Sequence, residues 1–221
     1  GLAREAVRKG FEALAAIPDE KGGEAALHAV LAMTALNEGR FEEARESVER
    51  CEALAREHRL EAFDFLSLDI GGWLKVAEGE HDQAEQLLEQ CRQKGVKNGN
   101  DFFAASSAHL LALNALHRGR NGKARSSIAA ALCTRAWSGN RLFRGISTTV
   151  SGAISLKTDD HARARAELSR ALTALHGAGA AQQEADAHLL LARLAMLSGR
   201  VKAMRKHLQA GFQAGQEHGF A

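Results

Sequence analysis

The 221-residue sequence predicts an all-α protein, a right-handed α-α superhelix (solenoid) of five helix-turn-helix repeats preceded by one leading helix. Two observations predict the helical class: alanine and leucine dominate the composition, and proline occurs once, as Pro18. Unbranched side chains lose little rotamer freedom in a helix, whereas proline breaks one. A third observation, a period of forty residues, predicts the repeats.

The repeat is visible as columns of similar residues at a constant spacing of forty. The turn column holds Gly39, Gly79, Gly119, Asp159 and Gly199. The column seven residues before the turn is small, with Ala32, Gly72, Ala112, Gly152 and Ala192. The column nine residues after it is apolar, with Val48, Leu88, Ile128, Leu168 and Leu208. Self-similarity at this length is typical of solenoids.

Each repeat is predicted to fold as a hairpin of two helices, A and then B. Small residues let antiparallel helices approach closely, and glycine leaves helical dihedrals easily at the turn between them. A leading helix is predicted over about residues 2–16, ending at the segment IPDEKGG. The A helices are predicted near 24–38, 60–78, 101–118, 141–157 and 181–198, and the B helices near 41–58, 81–96, 121–138, 161–177 and 201–218.

The whole chain, 1–221, is predicted to be one repeat domain, with repeats over about 24–59, 60–99, 100–139, 140–179 and 180–219. Solenoid ends normally carry a polar capping surface, and neither end of this sequence shows one. The first residue is also not methionine. We therefore expect the chain to be a piece of a longer protein.

Composition narrows the possible partners and the compartment. The net charge of +2 does not favour direct binding of nucleic acid. No run of about 18 apolar residues predicts a membrane span, and no secretion signal opens the chain. Cys51, Cys91 and Cys133 lack metal-type spacing and are interpreted as small buried thiols of a reducing, cytoplasmic compartment.

One stretch has an uneven charge. Between Arg118 and Arg165 there are ten Lys or Arg residues, and the only acids are Asp159 and Asp160. This excess can be a solvated face or a surface for an acidic partner.

The columns resemble the tetratricopeptide repeat. The match is Gly72, Ala84, Leu88 and Cys91 in the second repeat, and Ala112, Ala124, Ile128 and Ala131 in the third. The period of forty departs from the family's length of about thirty-four, the usual Trp and Tyr of helix A are absent, and no proline ends helix B.

The long variant looks most similar to the sensor arrays of ATP-dependent bacterial transcription activators of the maltose-regulon type, with a LuxR-like DNA-binding tail. This chain shows neither a phosphate loop nor a helix-turn-helix segment.

The resemblance implies that helix A lines a concave groove. By the family's pattern, the predicted groove residues are Met33, Asn37, Asp69, Trp73, Ser106, His109, Leu113, His117, Thr149 and Arg193. The same pattern adds Leu66, Ile146, Lys157, Asp186 and Leu189. This mixture of apolar and charged side chains is typical of grooves that bind a peptide or small ligand. For Trp73 the alternative is a packing residue, and for Phe63, Phe103 and Phe143 the alternatives are inter-repeat packing or an aromatic strip.

Catalytic and metal chemistry are not favoured. His109 and His117 lie eight residues apart, whereas a helical metal pair prefers three or four. Ser106, Ser107 and His109 are close in sequence, but a helix interior offers no free N–H groups for an oxyanion. We therefore expect no enzyme activity, no metal and no cofactor. The predicted function is recognition of a protein, peptide or small-molecule inducer, as the sensor domain of a bacterial transcription regulator or, alternatively, as a free-standing adaptor.

Overall fold

The computed structural model describes residues 2–17 and 20–217, and every regular element in those ranges is an α-helix. The helices form two compact units, residues 1–114 and 115–221. Pro18, in the segment predicted to end the leading helix, lies outside the described residues. The prediction of an all-α helical-repeat protein is confirmed.

Unit 1 is a succession of helices in which each packs against the next. Its helices are α1 (Leu2–Leu14), α2 (Lys21–Asn37), α3 (Phe41–Glu57), α4 (Glu61–Glu78), α5 (His81–Lys97) and most of α6 (Asp101–His117). The hairpins are α2 with α3 and α4 with α5, and α3 packs on α4 to join them. A further contact joins α2 to α4, so successive A helices also cover one another.

Unit 2 repeats the same arrangement. It contains the end of α6, then α7 (Asn121–Cys133), α8 (Arg135–Ser138), α9 (Arg141–Lys157), α10 (His161–His176), α11 (Ala181–Leu197) and α12 (Val201–Glu217). The hairpins are α9 with α10 and α11 with α12, and α10 packs on α11.

The turn motif recurs every twenty residues rather than every forty. Left-handed dihedrals occur in the predicted A-to-B turns, as at Gly39 (φ 71°), and also in the B-to-A turns at Arg59 (φ 54°), Gly99 (φ 67°) and Gly179 (φ 66°). In both kinds of turn, the residue after the left-handed one donates a hydrogen bond from its N–H to the carbonyl five residues earlier, as Arg40 does to Ala35 at 2.8 Å. This hydrogen bond is that of a Schellman cap, which ends a helix and satisfies its last carbonyls.

One junction departs from the motif and corrects the predicted B helix at 121–138. Helix α7 ends at Cys133, Thr134 is extended (φ −76°, ψ 137°), and α8 follows as a separate four-residue helix. The break places Trp137 in the core, where its indole N–H donates to Ser147 Oγ at 2.6 Å. The ring also stacks on Phe143 with centroids 4.3 Å apart. Burial of a large ring with a satisfied N–H favours this local break over a continuous helix.

Close helix crossings hold each hairpin together. A Cβ atom on Gly72 would lie 2.4 Å from Leu88 Cδ2 and 2.5 Å from Leu88 Cγ. In unit 2, a Cβ atom on the equivalent Gly152 would lie 2.6 Å from Leu168 Cγ. Leu88 and Leu168 are fully buried, and in each case the close contact includes Cγ as well as a methyl carbon, so the whole side chain would have to shift. The columns of small residues are therefore points of contact between the two helices of a hairpin.

The cysteines differ in exposure. Cys51 and Cys91 are buried free thiols, as predicted, but Cys133 is exposed, which corrects its interpretation as a buried residue. The buried residues of α7 are Ala124, Ile128 and Ala131, and Cys133 lies two residues beyond Ala131, about 200° round the helix and therefore on the opposite face. Burial raises the pKa of Cys51 to about 11 and that of Cys91 to about 12.

We expect Gly72→Ala to lower the free energy of unfolding, measured by urea denaturation. Overpacking at a tight crossing costs about 1–3 kcal/mol, which exceeds the helix-propensity gain of up to about 1 kcal/mol. The matched control is Gly122→Ala in α7, where nothing lies within 4 Å of the added Cβ. This control should be neutral or slightly stabilising, and equal destabilisation by both variants would contradict the assignment.

We expect one thiol to react quickly with a disulfide reagent in the native protein and three to react after denaturation. Cys133 is exposed, whereas Cys51 and Cys91 are buried and hold their protons because burial raises their pKa. Cys133→Ser should abolish the fast phase. A fast phase that persists in this variant would show that a buried thiol is accessible.

Candidate functional site

The predicted groove residues fall into two groups, one in each unit. In unit 1 they lie on the A helices α2, α4 and α6, and in unit 2 on the last turn of α6 and on α9 and α11. The structure distributes them among interior, partly buried and exposed positions.

The apolar members in unit 1 are packing residues at the edge of the core. Met33, Leu66 and Trp73 are partly buried and pack against a cluster that contains Ile70 and Leu74. Leu113 packs partly buried against a second cluster around Leu88 and Leu111, which Trp73 also contacts. Asn37 is exposed at the end of α2, and its side-chain amide donates to the Met33 carbonyl at 3.0 Å.

Asp69 was predicted to face the groove, and the structure corrects this placement. The side chain is buried and accepts hydrogen bonds from Ser106 Oγ at 2.6 Å and Ser107 Oγ at 2.9 Å. Burial raises the pKa of Asp69 to about 6, although the two serine hydrogen bonds oppose the shift. Asp69 and Ser106 thus form a polar tie between α4 and α6.

His109 was also predicted to line the groove and is buried instead. Burial disfavours the charged imidazolium and lowers its pKa to about 4, so the ring is neutral at physiological pH. The family's pattern assigns this position to the open face of helix A. Here successive A helices pack closely enough for serines of α6 to reach Asp69 of α4, and positions between them are covered.

Sequence reasoning missed a second polar tie in unit 1. Asn114 is fully buried, its amide donates to the His81 carbonyl at 2.9 Å, and its Oδ1 lies 2.7 Å from His81 Nδ1. The contact joins the start of α5 to α6. The available signal was a single amide inside the apolar run LLALNAL, because a buried amide needs a specific partner.

In unit 2 the predicted residues are more exposed. His117 lies exposed at the end of α6, and Thr149 is partly buried, with its hydroxyl donating to the Gly145 carbonyl of its own helix at 3.0 Å. On α11, Leu189 is 53% exposed and Met196 is 58% exposed. Arg193 lies between them and is exposed. The spacing of four and then three residues puts all three side chains on one face of α11, which we call the α11 face.

The recurring phenylalanines are packing residues. Phe63 packs against the core cluster of unit 1, Phe103 stacks on Phe65 with centroids 5.4 Å apart, and Phe143 stacks on Trp137. These contacts favour inter-repeat packing over an aromatic strip.

The described part of the chain offers neither a metal cluster nor a helix that could cross a membrane. Within residues 2–17 and 20–217, no group of three His, Cys, Asp or Glu side chains is arranged to hold a metal ion. Over the same ranges, no helix combines the length and apolar character that a bilayer crossing needs.

Comparison with known proteins supports the fold. No protein-family model matches the sequence, and no curated protein matches it. Among solved structures, the chain is similar to the crystal structure of BtubC (BKLC) from P. vanneervenii, with a TM-score of 0.69 and 17% sequence identity over 99% of this chain and 91% of that one. At this identity, the similarity shows a shared fold alone.

We expect the stability of the wild type, relative to an Asp69→Asn variant, to fall as the pH rises from 4 to 7. The folded-state pKa of Asp69 is raised to about 6, above the value of about 3.9 in an unfolded chain. The folded protein therefore favours the protonated acid. The stability that this preference contributes is fully present below the pKa of the unfolded chain and is lost as the pH rises through 6. The free energy of unfolding of the wild type, measured by urea denaturation relative to that of the variant, should fall by roughly 2–3 kcal/mol over this pH range.

His109→Gln is a control of opposite sign. The pKa of His109 is lowered in the folded state, so the wild type should lose stability relative to this variant as the pH falls from about 6.5 towards 4. Parallel pH profiles for the wild type and Asp69→Asn would contradict the burial of an ionisable Asp69.

Proposed function

We propose that the chain is a non-enzymatic recognition module that binds a segment of another protein. The observation that carries the proposal is the α11 face, where Leu189 and Met196 are more than half exposed and flank Arg193. Apolar side chains grouped around a charge on a rigid helix are typical of surfaces that contact proteins. A helical-repeat fold is compatible with this role, because it holds such faces in fixed positions.

The α11 face suggests the chemistry of its occupant. Covering Leu189 and Met196 removes apolar area from water at about 25 cal/mol per Å². Arg193 has no ion pair among the described residues and is available to a carboxylate of the partner. The proposed occupant is therefore a protein segment that presents an apolar side chain next to an acidic one.

The test compares affinity capture from cells of the source organism by the wild type and by Leu189→Asp/Met196→Asp. Both positions are exposed, so the substitutions should preserve the fold. Val96→Asp is the matched control, because Val96 is 63% exposed on α5 of unit 1. A partner captured by the wild type should then be purified and titrated, with binding at least tenfold weaker for the α11 variant and unchanged for the control. A partner set that is identical for all three proteins would count against the proposal.

The finer form of the proposal is a sensor array of a bacterial ATP-dependent transcription regulator. Its support is the forty-residue period and the style of the repeats. The alternative is a free-standing adaptor that assembles protein complexes. The full-length gene product separates them, because the regulator requires a phosphate loop before the array and a helix-turn-helix domain after it.

Absence of catalysis and a cytoplasmic location belong to the same proposal. The Ser106 hydroxyl donates to buried Asp69, an arrangement that ties two helices and does not activate a nucleophile. Three free thiols, one of them exposed, suit a reducing compartment. A hydrolase screen and metal analysis of the purified protein should both be blank.

A further inference from the structure

We propose that unit 2 carries an anion-binding cleft, distinct from the α11 face, that takes a carboxylate-rich segment of a partner protein. The cleft lies along the seam of α9 and α10 and has a volume of about 630 Å³. Arg141 and Arg144 of α9 and Arg170 of α10 line it, together with the hydroxyl-bearing Thr148 and Thr173. We call it the arginine cleft.

The three guanidinium groups have no carboxylate partner within the described ranges of the chain. One acid, Glu167, lines the cleft, and its charge is already engaged. Its Oε1 accepts from Ser151 Oγ at 2.8 Å and Arg163 Nε at 2.9 Å, and its Oε2 accepts from Ser155 Oγ at 2.7 Å. Burial raises the pKa of Glu167, but these hydrogen bonds outweigh burial and lower it overall. Glu167 is therefore a buried anion whose oxygens bond to Ser151, Ser155 and Arg163, and it does not pair with the three arginines of the cleft.

Unit 1 contains a cleft at the same repeat position, eighty residues earlier, and its charges are balanced. This cleft is about 570 Å³ and is lined by α3, α4 and α5. Glu61 and Asp64 stand where unit 2 has Arg141 and Arg144. Asp64 pairs with Lys94 at 3.0 Å. Arg56, Arg59 and Lys94 line this cleft together with Glu52, Glu61 and Asp64, so cations and acids are equal in number there. The fold thus forms the cleft with acids at the positions of Arg141 and Arg144, and the excess of cations in unit 2 needs another explanation.

The position of two of the arginines strengthens the local potential. Arg141 and Arg144 lie in the first turn of α9, which contains no acidic residue, whereas the first turn of α4 contains Glu61 and Asp64. A helix N-terminus carries partial positive charge, so cations there are unfavourable unless an anion is bound. The Arg141 guanidinium reaches across the seam to the C-terminus of α10, since its Nη1 lies 3.0 Å from the position of a Cβ on Gly177, the residue that caps α10. The partial negative charge of that helix end offsets part of the Arg141 charge, and Arg144 lies in the first turn of α9 without such a neighbour.

The distribution of the arginines favours an acidic peptide over a single anion. Arg141 and Arg144 are three residues apart on one face of α9, and Arg170 projects from the neighbouring helix. Guanidinium groups bind carboxylates through paired hydrogen bonds. Cations placed along an open seam match carboxylates placed along an extended chain, as in a run of glutamates.

The experiment measures binding of a fluorescent hexaglutamate peptide to the full chain by anisotropy at low salt, with a fold check by circular dichroism. Arg141→Glu/Arg144→Glu should weaken binding at least tenfold. Lys202→Glu/Arg205→Glu makes the same charge change at exposed positions of α12 in unit 2 and should change the affinity less than threefold. Arg141→Lys/Arg144→Lys keeps the charge but loses the paired hydrogen bonds, and it should bind at intermediate strength.

Three outcomes would overturn the inference: no binding by the wild type, equal weakening by the two charge-reversal variants, or tighter arginine-dependent binding of an oligonucleotide of equal charge. Leu189→Asp/Met196→Asp should change the peptide affinity less than threefold, so the test of the arginine cleft is independent of the test of the α11 face. Transfer of the site provides a second measurement. Glu52→Leu/Glu61→Arg/Asp64→Arg/Gln90→Arg gives the unit 1 cleft the leucine and the three arginines that unit 2 has at these positions, and it should add a second peptide-binding equivalent.

Discussion

The close crossing of two helices at a small residue is the constraint on which each hairpin depends. Where Gly72 faces Leu88, the backbone of one helix approaches the side chain of the other so closely that even a methyl group has no room. The left-handed cap that recurs every twenty residues sets the helix length, because it ends each helix at the same point relative to that crossing. Together, crossing and cap decide which faces of a helix are covered by its neighbours.

Within this arrangement, buried polar groups specify which helices meet. Asp69 joins α4 to serines of α6, Asn114 joins α6 to the start of α5, and Glu167 joins α10 to serines of α9. Each group is satisfied by hydrogen bonds, as burial of polar atoms requires. An apolar interior alone would tolerate sliding of one helix along another, whereas these hydrogen bonds form at only one alignment of the two helices. Several polar residues that resemble a binding site in the sequence therefore serve the packing of the repeats.

A constant backbone can carry different chemistry at equivalent positions. The unit 1 cleft and the arginine cleft arise from the same helix arrangement, yet one is neutralised by internal ion pairs and the other presents three arginines without acidic partners. In the same way, the α11 face exposes apolar side chains, whereas Met33 and Trp73 on α2 and α4 pack partly buried. Recognition in such a protein resides in the surface residues of individual repeats rather than in the repeat pattern.

The sequence by itself determined the helical class, the forty-residue period, the turns and the columns of small residues, because each depends on local dihedral preference and on spacing along one helix. Only the tertiary structure decided that Asp69 and His109 are buried, that Cys133 is exposed and that the chain breaks at Thr134. Spacing shows which side chains share a face, but it does not show which face a neighbouring helix covers. That depends on how closely successive helices approach, and so on contacts between residues distant in the chain.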